Sequence, residues 1–219
     1  EPLNIVAPRG SSRILNSLLL VCGFLPFQVI ISELHDTKPQ EFDLIGLNIK
    51  SIPLRHHINC LGYSLELVLR PHFQPDKAKK YNIPVKLWRL LHGGQEVVVD
   101  DRTITPDMVL GEPRKPIKIS YVTDTRPVKL IDETVKDSDL FICEGMYGND
   151  EMLEGAVAKM HMIFSEAAGI ALNAGVKELW LTHFSPSMPN PEEYKDSAAN
   201  IFANTVIGKD LMSKTLKSD

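Results

Sequence analysis

Three polar residues stand where apolar runs end. His56 follows Ser51-Ile52-Pro53-Leu54-Arg55, Asp124 follows Lys118-Ile119-Ser120-Tyr121-Val122-Thr123, and His183 follows Leu179-Trp180-Leu181-Thr182. Strand ends in α/β proteins gather ligands and metal ions, because the sheet fixes the side chains while the loops stay open to solvent. Imidazole and carboxylate together suit zinc or manganese. A carboxylate shared by two ions suits phosphodiester hydrolysis, where one ion generates hydroxide and the pair stabilises the oxyanion. Each residue also has a plainer reading: an Asp before Thr often makes a turn or caps a helix, and a His at a strand end is often simply hydrogen-bonded. Local sequence alone leaves both readings open.

The elements that would hold these residues alternate. Leu3 to Ala7 predicts a strand, Pro8-Arg9-Gly10 a turn, and Ser11 or Ser12 caps a helix running to about Leu25. Gln28 to Ser32, Asp43 to Pro53 and Gly62 to Leu69 read as strands. From Pro71 to Pro116 six prolines punctuate short helices at Asp76–Tyr81 and Val85–Leu91 and a hairpin at Val97-Val98-Val99, turning at Asp100-Asp101. This segment reads as an insertion. Strand and helix signals then resume: strands at Ile117–Val122, Asp139–Cys143 and Glu178–Leu181, helix at Val128–Asp137, helical stretches from Asp150 to Ala174, and helices through much of the tail. Strands separated by helices predict a layered α/β sheet. The expected division is therefore 1–70 and 117–219 as two parts of one core, with 71–116 as an arm.

Composition is that of an ordinary globular chain, at 43% hydrophobic and 24% charged. No apolar run reaches the length of a membrane span; the longest, Ile14 to Phe27, is broken by Asn16, Ser17 and Gly23. Cys22, Cys60 and Cys143 are an odd count at wide spacing, which argues against a disulfide framework and for a reducing, cytoplasmic setting. The net charge of −4 is uneven, since the stretch from Arg70 to Gly93 holds six basic residues and one acidic one. A local basic stripe suits phosphate contact; a solvated helix face is the alternative.

Five ordered blocks resemble ribonuclease Z, the metallo-β-lactamase-fold endonuclease that trims the 3′ end of precursor tRNA. They are Leu54-Arg55-His56-His57-Ile58-Asn59-Cys60-Leu61-Gly62-Tyr63, Tyr121-Val122-Thr123-Asp124-Thr125-Arg126-Pro127, Phe141-Ile142-Cys143-Glu144-Gly145-Met146, Lys159-Met160-His161-Met162-Ile163, and Leu181-Thr182-His183-Phe184-Ser185. The resemblance implies His56, Asp124 and His183 as metal ligands, with Asp124 bridging. It also implies Glu144 and His161 as the proton-transfer pair. An imidazole held by a carboxylate is expected to favour its protonated form. The segment Phe73 to Pro84 resembles the start of the family's flexible arm, which makes Lys77, Lys79, Lys80, Lys86 and Arg89 candidates for gripping RNA. The implied fold is an αββα sandwich, incomplete because its N-terminal part is missing, with an inserted arm. The implied cofactors are two zinc ions, or manganese, and the implied partners are precursor tRNA and a second copy of the chain.

The resemblance has gaps. The family's His-x-His-x-Asp-His motif belongs before Pro8, and none of the seven histidines stands in that spacing. Two histidines for one ion, and an Asp and a His for the other, are not found, so the chain alone is expected to be inactive. Val85-Lys86 replaces the arm's Gly-Pro, and Pro186-Ser187-Met188 replaces Arg-Tyr after Ser185. Two alternatives follow: a non-catalytic homologue kept as a binding or dimerisation module, or a hydrolase of another phosphodiester.

Overall fold

A computed structural model describes residues 1–218. In chain order the elements begin with β1 (Leu3–Pro8), α1 (Ser11–Val21), β2 (Val29–Leu34), β3 (Gln40–Leu44), β4 (Leu47–Pro53) and β5 (Leu61–Leu67). Next come α2 (Pro75–Lys80), α3 (Val85–His92), β6 (Val97–Val99) and β7 (Arg102–Ile104). The remainder is β8 (Ile117–Val122), α4 (Lys129–Val135), β9 (Leu140–Glu144), α5 (Leu153–Lys159), α6 (Phe164–Asn173), β10 (Leu179–Thr182), α7 (Lys195–Ala199) and β11 (Thr205–Ile207). The chain divides into two compact units, Glu1–Glu66 with Lys118–Thr215, and Leu67–Ile117 with a short C-terminal piece.

The first unit is built on a seven-stranded sheet of order β11-β10-β9-β8-β5-β4-β3. Strands β8 to β11 are parallel, and β3, β4 and β5 antiparallel. The central parallel strands β9 and β10 read as near-continuous apolar runs, as strands covered on both faces do. Phe141, Cys143, Leu179 and Leu181 are fully buried, packed with Ile131 and Val135 of α4 and with Phe164, Ala167, Ala168 and Ala171 of α6. Each large side chain buried this way contributes roughly 1.5–3 kcal/mol of transfer free energy. A second sheet is the parallel pair β1–β2. Within the second unit, Ala78, Ile83, Leu91, Val97, Ile104 and Val109 form a separate small core, with Trp88 and Phe73 against it. The segment 216–218 belongs to this unit rather than to the core expected from sequence, and Arg114 Nη2 donates to Ser218 Oγ at 2.7 Å.

Several local expectations need correction. Helix α1 ends at Val21, not Leu25, and neither serine caps it by its side chain: Gly10 is the N-cap. The Glu33 carboxylate instead accepts from the Ser12 N–H at 2.7 Å, and backbone N–H groups of Ser12 and Gly10 hold its carboxyl below the usual range. The single run Asp43–Pro53 is a hairpin, because Ile45 (φ 56°) and Gly46 (φ 76°) turn the chain between β3 and β4. Positive φ at both central residues matches the twist of the strands they join. Among the described residues the tail holds a 3₁₀ turn at Pro191–Tyr194, α7 and the edge strand β11, not a run of helices. The helical stretch from Asp150 to Ala174 is broken at Met160, which adopts a left-handed conformation (φ 61°). That break leaves His161 and Met162 in a short non-helical link between α5 and α6, with Met162 fully buried in the core.

Candidate functional site

Sheet register explains why distant residues meet. Thr182 of β10 pairs with Glu144 of β9, and Val122 of β8 pairs with Cys143, all in parallel. The residues just past these strand ends, Asp124 and His183, and Glu144 at the last position of β9, therefore emerge at one edge of the sheet. His56 comes to the same edge from the loop after β4, which closes through Leu54 N–H donating to Cys60 O at 3.0 Å, and an isolated bridge joins Arg55 to Arg126. Asp124 (φ 50°), Met160 (φ 61°) and His183 (φ 59°) are all left-handed, three of the nine such non-glycine residues among those described. Strained backbone of this kind persists only where surroundings over-determine it, and it clusters at functional sites.

Five residues singled out from sequence are thus brought together. His183 Nε2 lies 2.6 Å from Asp124 Oδ1, and His161 Nδ1 lies 3.9 Å from the same oxygen. The ligand atoms of His56, Asp124 and His161 fall within 4.8 Å of one another. The His56 ring stands 4.9 Å from that of His161, which is 5.5 Å from that of His183. His56 Nδ1 is 3.1 Å from the Met160 carbonyl, which leaves Nε2 as the ring's second donor position. Asp124 is common to both ion-pair contacts and to the three-residue group.

Glu144 is fully buried and engaged on both oxygens. Oε1 accepts from the Thr125 N–H at 2.5 Å, Oε2 accepts from the Met162 N–H at 3.0 Å, and His161 Nδ1 stands 3.1 Å from each. Burial nevertheless pushes its carboxyl up to about 7, against the two backbone donors and the His183 charge. His161 moves the other way: burial, then the neighbouring His56, lowers its proton affinity despite Asp124. The expectation that a carboxylate partner favours imidazolium is therefore reversed, because removing both groups from water favours both neutral forms.

Sequence reasoning quoted Arg126 within a block but gave it no role, and it missed Glu166. Arg126 Nη1 donates to the His161 carbonyl at 2.5 Å and to Glu166 Oε2 at 2.8 Å, while Nη2 pairs with Glu166 Oε1. Glu166 also accepts from the Ile163 N–H at 3.1 Å, capping α6. A capping motif is usually found from Ser or Thr three residues before Glu; Ile163 hides it. In the second unit Lys77, Lys79, Lys80, Lys86 and Arg89 are all exposed on α2 and α3. Lys77 spends its ammonium on the Leu110 carbonyl at 3.1 Å, and Lys79 lies 3.7 Å from Asp76.

The layered sheet has solved counterparts. The short form of human tRNase Z superposes with a TM-score of 0.60 at 18% identity, over 96% of this chain and 66% of that one. A metallo-β-lactamase-fold protein of Bacillus subtilis gives a TM-score of 0.60 at 15% identity, over 95% of this chain and 63% of that one. The chain spans just under two thirds of these solved structures and has the metallo-β-lactamase fold. No protein-family model matches it. Ribonuclease Z of Clostridium acetobutylicum is 46% identical over 222 residues, covering 99% of this chain and 72% of the relative. Ribonuclease Z of Clostridium kluyveri is 46% identical over 217 residues, covering 99% and 71%. The chain belongs to the ribonuclease Z family.

Proposed function

We propose that the full-length protein is a metal-dependent endonuclease that processes the 3′ end of precursor tRNA. The convergence of His56, Asp124 and His183 with the Glu144–His161 pair, in a chain 46% identical to ribonuclease Z, carries this reading. Its donor set of imidazole nitrogens and a carboxylate suits zinc, with manganese the next candidate. His56, Asp124 and His183 would hold it; three ligands fall short of four for each of two zinc ions, so the complete site takes further donors. A bound ion would supply a Lewis acid and a water of lowered pKa.

The chain's own residues do the rest. Asp124, whose Oδ1 lies 2.6 Å from His183 and 3.9 Å from His161, could serve two ions at once. Glu144 holds the His161 ring through Nδ1, which leaves Nε2 to hand a proton to the leaving oxygen. The exposed basic residues of α2 and α3 would contact RNA phosphates, supplying affinity rather than chemistry. A cytoplasmic setting is supported by Cys22, Cys60 and Cys143 all being free. Among the described residues no helix is long and apolar enough to cross a membrane. Homodimer assembly belongs to the same proposal, and the exposed Ile14, Leu18 and Val21 of α1 supply apolar surface for it.

Replacing His183 by Ala in the full-length protein tests the reading. Bound metal, read by elemental analysis, and cleavage of precursor tRNA should both fall, activity by roughly 100-fold or more. Metal content and cleavage equal to those of the unaltered protein would refute it. Deleting 71–116 should abolish cleavage of precursor tRNA and spare hydrolysis of a small chromogenic diester.

A further inference from the structure

We infer that Arg126, with Glu166, is the positioning residue for His161, the proposed acid of the reaction. The inference rests on the function proposed above. His161 lies in a short non-helical link between α5 and α6, just after the left-handed Met160. Its N–H donates to Ala156 O at 2.9 Å, and its carbonyl accepts from the Arg126 guanidinium. That guanidinium forks onto the Glu166 carboxylate, which itself is fixed by capping the first turn of α6. The three groups form one closed unit across the link.

The other end of Arg126 is fixed just as firmly. Its N–H donates to the Arg55 carbonyl at 3.0 Å, one residue before His56. The neighbouring Thr125 hydroxyl accepts from the Arg55 N–H at 2.9 Å, and the Thr125 N–H donates to Glu144. Arg126 therefore ties the loop carrying His56, the loop carrying Asp124 and the link carrying His161 to one helix terminus. The Arg126 and Glu166 side chains are 13% and 22% exposed. Partly exposed ion pairs contribute little to stability, so the pair's larger effect falls on geometry. A planar fork suits this task because it serves a carboxylate and a carbonyl in fixed directions at once, which an ammonium cannot.

The test uses the full-length protein with Arg126→Gln, Arg126→Lys and Glu166→Gln. Displacing an acid by about 1 Å costs on the order of 10–100-fold in turnover. For Arg126→Gln, kcat on precursor tRNA should fall by that factor, with KM within about twofold of the unaltered protein and bound metal unchanged. Arg126→Lys should recover part of the loss, and Glu166→Gln, which keeps a capping oxygen, should lose less than Arg126→Gln. A second readout needs neither metal nor RNA. In metal-stripped protein the proton shared between His161 Nδ1 and Glu144 should give a protected NMR resonance that Arg126→Gln abolishes. Unchanged kcat with a retained resonance overturns the inference. So does a raised KM with unchanged kcat, which would make Arg126 a residue that binds RNA, or metal loss in step with kcat, which would make it a support of the metal site. If the unaltered protein cleaves no precursor tRNA, the proposed function fails, while the resonance still decides whether Arg126 orders His161.

Discussion

Glu144→Gln should change stability in a way that depends on pH, with a sign fixed by the buried carboxyl. The folded protein raises this group from an ordinary 4.5 to about 7, chiefly by burial. A raised folded value means its favourable contribution is complete below about 4.5 and is lost as pH rises through about 7, an upper limit of about 3 kcal/mol over the full window. Glutamine does not titrate, so the variant escapes this loss. It has its own cost: only one of the Thr125 and Met162 N–H groups can face the amide oxygen, and the other is left without an acceptor, at roughly 1–3 kcal/mol. His161 runs in the opposite direction, losing stability as pH falls through its lowered value. The stability advantage of the unaltered protein over Glu144→Gln should therefore shrink by about 2 kcal/mol between about pH 5.5 and about pH 8. Chemical denaturation of the metal-free proteins at the two pH values measures this. An advantage that stays constant or grows with pH would refute the reasoning that burial, not pairing, governs the site.

Two further outcomes follow from packing and charge. A Cβ placed on Gly145 would meet the Phe164 ring carbons at 2.8 Å, and Phe164 is fully buried, so Gly145→Ala should destabilise by about 1–3 kcal/mol and displace the adjacent Glu144. Denaturant unfolding beside turnover measurements would show both effects; a variant as stable and active as the unaltered protein would contradict the packing. Replacing Lys79, Lys80, Lys86 and Arg89 together by Ala should raise KM for precursor tRNA and leave kcat unchanged. It should also lower the slope of log affinity against log salt by about 0.7–0.9 for each phosphate that is no longer neutralised. A salt slope equal to that of the unaltered protein would mean those residues form a solvated face.

Much of the candidate site was legible before any fold was known. Apolar runs ending at His56, Asp124 and His183, and ordered blocks containing Glu144 and His161, marked the five residues that the structure gathers. Strand ends are local features, and a parallel sheet delivers its C-terminal ends to one edge, so pattern alone carried that far. The prolines between 71 and 116 also interrupt the strand–helix period, within the stretch that folds as the second compact unit. Only tertiary structure decided how the site is held. The hairpin at Ile45-Gly46 and the break at Met160 depend on left-handed backbone that Ile45 and Met160 do not favour by type, imposed by the neighbours on either side. The Arg126–Glu166 fork joins residues forty apart in sequence, and its capping geometry lacks the hydroxyl that usually signals it. The proton affinities of Glu144 and His161 turned on burial, a property of the whole packed core. A sequence names the groups that meet; desolvation and backbone strain, which decide their charge and aim, exist only after the chain has closed around them.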